Sequence, residues 1–234
     1  MEEKETGRLE AFSDGVFAVA ITLLVLNIKI PGIDLPPSKL LNDTQLWPML
    51  LSEWPMIAAY ATSFVTIGVM WLNHHRLYVH ITRTNTVLML LNLSLLLVIV
   101  FIPVPTALLA EYILRPDQHV AAIVYSGTFL AMAICFYVLW RYASYHNRLL
   151  GKNVNPHAVE AINRQFIAGP ISYLIVFGIA FLNTPVTIIL QFLLALYFAL
   201  PGRPPRSLAK SNDTVRVNEE AEMKRAGTVT REEL

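Results

Sequence analysis

The sequence predicts an all-α protein that crosses a membrane several times. Two observations carry that expectation. Hydrophobic residues make up 55% of the 234, and the mean hydropathy is +0.50. Charged residues are only 15%, against about 25% in ordinary soluble domains. They are also unevenly spread: of 18 basic and 17 acidic residues, 13 lie in 201–234. What remains is too little polar surface for a soluble globule. Collagen-like, disulfide-stapled and wholly disordered chains are excluded as well. The single cysteine, Cys135, sits in an apolar run and has no partner for an intrachain disulfide. A net charge of +1 without a basic cluster argues against a nucleic-acid partner.

A crossing helix needs about 20 apolar residues. The first such stretch, 10–30, holds one acid, Asp14; the second is 54–72; the third, 84–110, is uncharged throughout; the fourth is 118–140. Residues 165–202 then form an uncharged run of 38, which as one helix would extend about 57 Å. Asn183-Thr184-Pro185 is a breaker signal inside it. The reading is therefore six spans, the last two being 158–182 and 186–200, with a five-span chain as the alternative. Pro103 and Pro105 end or kink the third helix. The first segment is not expected to be a signal peptide, because it follows four acids rather than a basic stretch. Residues 201–234 read as a polar tail, disordered or loosely helical.

Basic residues set the orientation. One side holds Lys4, Arg8, Arg76, Arg83, Arg141, Arg148, Lys152 and Arg164 with the tail, and the other Lys29, Lys39 and Arg115. Both termini are thus expected in the cytoplasm of a multi-pass cell-membrane protein.

The first helix carries the chemistry. An acid inside a span is expensive and marks a functional hypothesis. At 100° per residue, Phe12, Gly15, Val19, Thr22, Leu23, Leu26 and Ile30 share one face, and Asp14 lies about 140° from Val19. Asp14 is read as a buried acid tying the first helix to the second, where Trp71, Asn73, His74, His75 and Arg76 offer partners. A proton relay or ion ligand is the alternative. Adjacent His74 and His75 point about 100° apart on a helix, so they do not chelate a metal from one face. They are expected near a helix C-terminus, one of them meeting the Ser13/Asp14 cluster. Asn92 and Gln191 read as interhelical hydrogen bonds, and Gly127, Gly169 and Gly178 as close-packing positions. No P-loop, G-x-S-x-G, H-E-x-x-H or intramembrane carboxylate pair occurs. No enzyme, catalytic residue, bound metal or cofactor is expected.

Arg8-x-x-x-Phe12-Ser13-Asp14, running on through Gly15-Val16-Phe17-Ala18-Val19-Ala20-Ile21-Thr22-Leu23-Leu24-Val25-Leu26, resembles the signature of the transmembrane protein 175 potassium-channel family. Trp71-Leu72-Asn73-His74-His75 on the second helix resembles it too. The resemblance implies six helices per repeat. With one repeat, it implies a homotetramer of the prokaryotic kind. It also implies a pore lined by the first helix of each subunit, at positions Val19, Thr22, Leu23 and Leu26. Arg8, Phe12, Ser13, Asp14, Trp71 and His74 map to a buried polar network that holds this helix. Val19 stands where the family usually carries Ile or Leu, which either widens that ring or moves the narrowest point to Leu23.

On this reading, residues 1–200 form a potassium-selective cation channel in membrane lipid, with K+ as the permeant ion. A Thr22 ring would offer oxygen to the ion. Val19, Leu23 and Leu26 would form a dewetting constriction. No Thr-Val-Gly-Tyr-Gly filter loop is present, so selectivity is expected to be modest. The reading from another class is a proton-coupled secondary transporter using Asp14.

Overall fold

The computed structural model describes residues 5–28, 42–113, 118–151 and 156–200. The tail at 201–234, together with Lys4, Lys29, Ile30, Lys39, Arg115 and Lys152, lies outside the described residues. Eight α-helices form among those described: α1 (Glu5–Leu23), α2 (Asp43–Ser52), α3 (Trp54–His80), α4 (Thr86–Phe101), α5 (Pro103–Tyr112), α6 (Gln118–Ser144), α7 (Pro156–Ala180) and α8 (Thr184–Ala199). Leu24–Asn27 continues α1 as a 3-10 turn, whereas after α6 the chain turns sharply over Tyr145–Asn147, where His146 and Asn147 have φ of 51° and 53°.

The expected breaks occur, for the expected reasons. Asn183 caps α8 by accepting from the Val186 N–H at 3.0 Å, and Pro185 sits in the first turn, where a missing N–H costs nothing. The third span divides at Ile102, with Pro103 opening α5. Among the described residues, five segments are long and apolar enough to cross a membrane: Thr6–Asn27, Trp54–His80, Thr86–Tyr112, His119–Asn147 and Val159–Ala180. The sixth, α8, extends only about 24 Å, short of the ~30 Å hydrocarbon thickness.

Two differences from the sequence reading are plain. Residues 43–52 form α2, an unforeseen helix. Its apolar periodicity is interrupted by Pro48, and Asn42 starts it with a reciprocal cap to Gln45. The second span also runs on to His80 rather than ending at 72. His74 and His75 are therefore more than a turn inside α3, not at its C-terminus. The helix crosses Asn73-His74-His75-Arg76 because each of these side chains finds a polar partner.

The centre of the bundle is α6, packed against α4, α5, α7 and α8. Aromatic rings bridge α6, α7 and α8. On α6 Tyr125 meets Phe129 edge-on at 4.8 Å, Phe129 stacks on Tyr173 of α7 at 6.4 Å, and Tyr173 stacks on Phe198 of α8 at 6.0 Å. Trp140, fully buried, donates from Nε1 to Asn163 on α7 at 2.7 Å. At Gly127 a Cβ would lie 3.1 Å from the Phe177 ring, so the missing side chain sets the α6–α7 approach. Gly178, by contrast, faces open space. Buried hydroxyls form their own cluster, Ser63 lying 2.7 Å from Thr106 and 3.1 Å from Tyr125.

Candidate functional site: the exposed face of the first helix and its anchors

Helix α1 packs on α3 and α4. Ser13, Phe17, Ala20 and Leu24 are buried, and their spacing follows one helical stripe. On the other side Val19 is 53% exposed, Leu23 36% and Leu26 75%. Thr22, Phe12 and Gly15 are exposed as well. The helix thus shows one pinned face and one free apolar face.

Two sets of polar contacts fasten the pinned face near the start of α1. The first is a directional chain. His74 Nε2 donates to Asn92 Oδ1 at 2.9 Å, Asn92 Nδ2 donates to Ser13 Oγ at 2.9 Å, and Ser13 Oγ donates to the Leu9 carbonyl at 2.8 Å. The sense is fixed by chemistry. Ser13 has one hydrogen, spent on Leu9, so its oxygen must accept from the Asn92 amide, and the amide oxygen then faces His74. All three side chains are buried. The chain joins α3, α4 and α1. Phe17 meets the His74 ring edge-on at 5.4 Å, and Tyr78 stacks on it at 4.5 Å.

The second set joins α1 and α3 directly. Trp71 Nε1 donates to Asp14 Oδ1 at 2.8 Å, and His75 Nδ1 lies 2.7 Å from Glu10 Oε1. Trp71 and His75 stack at 6.4 Å. The two histidines therefore serve different partners, His74 through Nε2 and His75 through Nδ1. At the other end, Asn27 Nδ2 donates to the Pro103 carbonyl at 2.8 Å, tying the 3-10 turn to the α4–α5 break.

The polar network differs in membership from the one expected. Ser13 and His74 come together through Asn92, and Asp14 and Trp71 form a separate pair. Arg8 and Phe12 are exposed and form no hydrogen bond with the others among the described residues. Asp14 pairs with a neutral indole rather than with Arg8 or His74. It is half-buried rather than enclosed, because it edges an open groove of about 320 Å³ lined by Phe17, Ala18, Ile21, Gly68 and Trp71. Gly68 and Ala18 leave that space uncovered. Glu10, Asn27 and the two-sided role of Asn92 are additions. Gln191 differs from its reading as an interhelical bond: it is fully buried, yet neither Nε2 nor Oε1 has a partner among the described residues.

The free face also departs from uniform α geometry. Over Leu24–Asn27 the chain winds as a 3-10 helix, at about 120° and 2.0 Å per residue. Leu26 therefore falls almost in line with Leu23 and about 6 Å along the axis, not the ~4.5 Å of an α-helix. Thr22 Oγ1 lies 3.0 Å from the Ala18 carbonyl and 2.9 Å from that of Val19. With its hydrogen turned into its own helix, the oxygen presents lone pairs outward.

This is the architecture of a polytopic helical membrane protein whose first helix is held on one side and bare on the other. Residues 8–103 match the sequence profile of the family described as Endosomal/lysosomal potassium channel TMEM175. A potassium channel of Chamaesiphon minutus is 48% identical over 199 residues, 85% of this chain and 96% of its own. One of Streptomyces collinus is 45% identical over 202 residues, covering 86% and 94%. The crystal structure of a lysosomal potassium-selective channel TMEM175 homolog from Chamaesiphon minutus superposes with a TM-score of 0.74 at 46% identity, covering 83% of this chain and 96% of that one. The chicken endosomal/lysosomal proton channel TMEM175 is 34% identical over 145 residues, 60% of this chain but 28% of its own. The chain belongs to the TMEM175 family, a family of ion channels and not of enzymes.

Proposed function

We propose that this chain is a potassium-selective cation channel that assembles as a homotetramer, with four copies of α1 around the conduction axis. The observation that carries the reading is the divided surface of α1. Val19, Thr22, Leu23 and Leu26 stand exposed, while the opposite side is anchored to α3, α4 and α5. Two bacterial relatives named as potassium channels, each matched over nearly its whole length, support it. Residues 1–200 form the channel domain and 201–234 a cytoplasmic tail, and both termini lie in the cytoplasm of a cell-membrane protein. Rings of Val19, Leu23 and Leu26 obstruct ions because apolar walls cannot replace hydration. Thr22 supplies the only side-chain oxygen on that face among the exposed described positions from Gly15 to Leu26. One ring of hydroxyls replaces little hydration, so selectivity over Na+ is modest.

The test is reconstitution of the full chain into liposomes under a K+ gradient. K+ flux that requires no proton gradient supports the channel. Flux locked to a proton gradient in fixed ratio would instead assign Asp14 to a carrier.

A further inference from the structure

At the end of α6, far along the chain from the pore helix, lies a groove of about 280 Å³ lined by Tyr137, Val138, Arg141, Tyr142, Tyr145 and Arg148. Positions 138, 141, 142 and 145 fall on one face of the last two helical turns. The chain then reverses. His146 and Asn147 take consecutive left-handed conformations, with φ of 51° and 53°. That turn, uncommon for residues other than glycine, carries Arg148 back over the helix it has just left. Its guanidinium lies 4.8 Å from the centre of the Tyr142 ring and 5.8 Å from that of Tyr145, while Arg141 lies 5.4 Å from the Tyr145 ring.

The frame is fixed from behind. Asn85 Nδ2 donates to Tyr142 Oη at 2.8 Å. The Thr82 and Arg83 N–H groups both donate to the Leu149 carbonyl, at 3.0 and 3.3 Å. Arg141 and Arg148 are exposed and have no ion pair among the described residues. An arginine stacked on a tyrosine spends the face of its guanidinium. The N–H edges remain, in the fork that suits a phosphate.

We propose that this groove binds the phosphate of an acidic phospholipid headgroup. Its position commits it to lipid rather than to a soluble anion. It caps a span, His119–Asn147, and its walls are tyrosine and valine, as at a membrane boundary. The choice of the cytoplasmic leaflet rests on the orientation proposed above; the binding does not.

The experiment measures thermal unfolding of the full chain in neutral detergent against added phosphatidylglycerol. Phosphatidylglycerol is expected to raise the transition temperature, and phosphatidylcholine to leave it unchanged. Each arginine neutralised should weaken the half-maximal concentration about fivefold, so Arg141→Gln/Arg148→Gln should need roughly 25-fold more lipid. Arg164→Gln, on the same proposed side but paired with Glu160, should behave as the parent chain. If the double variant does not assemble, Arg148→Lys decides: it keeps the charge and loses the fork, and its affinity should fall severalfold. Parent-like affinity in either variant overturns the proposal. So does an equal shift from phosphatidylcholine, and so does a shift produced by inorganic phosphate alone, which would make the groove an anion site without a lipid.

Discussion

The fourth span and the first are held by different physics. In the most apolar stretch of the fourth span, 50% of residues are buried, against 22% in the first. Helix α6 is gripped on several sides by interlocking rings, each contact weak and many of them redundant. Helix α1 has a narrow apolar stripe and a handful of directional bonds: His74–Asn92–Ser13, Trp71–Asp14 and Asn27–Pro103. A structure supported by burial resists any single change of polarity at its rim. A helix supported by a few bonds can be displaced by losing one, and a helix that must leave a face uncovered has little else available.

The largest effect is expected in the ring-packed region. Trp140→Ala removes the largest fully buried side chain and should cost about 3–5 kcal/mol. It should appear as lost folded protein in a detergent melting assay, with unchanged ion preference in whatever assembles. Altered ion preference would erase the distinction between the two regions.

Next comes Leu24→Ser. Leu24 is completely buried on the pinned side of α1. A hydroxyl there loses packing and needs a partner, at roughly 2–4 kcal/mol. Yield and melting temperature should drop without a rise in liposome leak. A stable, leaky Leu24→Ser channel would mean the lining face is the other side of the helix.

Asn92→Leu breaks the chain at its middle. It leaves His74 Nε2 without its acceptor in a dry site, at about 1–3 kcal/mol, although interhelical hydrogen bonds in membranes average nearer 0.6 kcal/mol. In the proposed homotetramer the assembly should weaken on size-exclusion and the conductance should change, because the error falls on α1. Asp14→Asn should be milder, about 1 kcal/mol or less. The amide can still accept from Trp71, and the groove beside it is open to solvent.

On the free face, stability should hardly move. Leu23→Ser and Leu26→Ser should wet a ring and raise resting K+ leak. Thr22→Val keeps the shape and removes the oxygen, so the reversal potential in mixed K+/Na+ should move toward equal permeability while current persists. An unmoved reversal potential removes Thr22 from the account of selectivity.

Much of this was readable beforehand, for reasons that differ by element. The spans follow from hydropathy, which is a summed property and tolerates local error. Asn183 and Pro103 act through backbone chemistry that any sequence context preserves. The α1 face follows from periodicity, and Leu24 against Leu23 shows it at single-residue resolution. Partner choice was not legible. Asp14 was given Trp71, Asn73, His74, His75 and Arg76 as candidate partners on the second helix, and only the contact itself shows that the indole of Trp71 takes it. Asn92 is a lone polar residue in an apolar run, and nothing local says that both ends of its amide are used. Helix α2 was missed because ten residues with an internal proline give no clear period. The 3-10 winding of 24–27 has no signature in Leu-Val-Leu-Asn at all.

That 3-10 segment has a mechanical consequence. Four residues wound at about 2.0 Å each are stretched by roughly 2 Å relative to the same residues at 1.5 Å. Rewinding them would shorten the helix by that amount. It would also swing Leu26 about 60° out of line with Leu23, so axial length and side-chain bearing are geared together. The Asn27 amide, moored to the Pro103 carbonyl, fixes the far end of this segment to the α4–α5 corner.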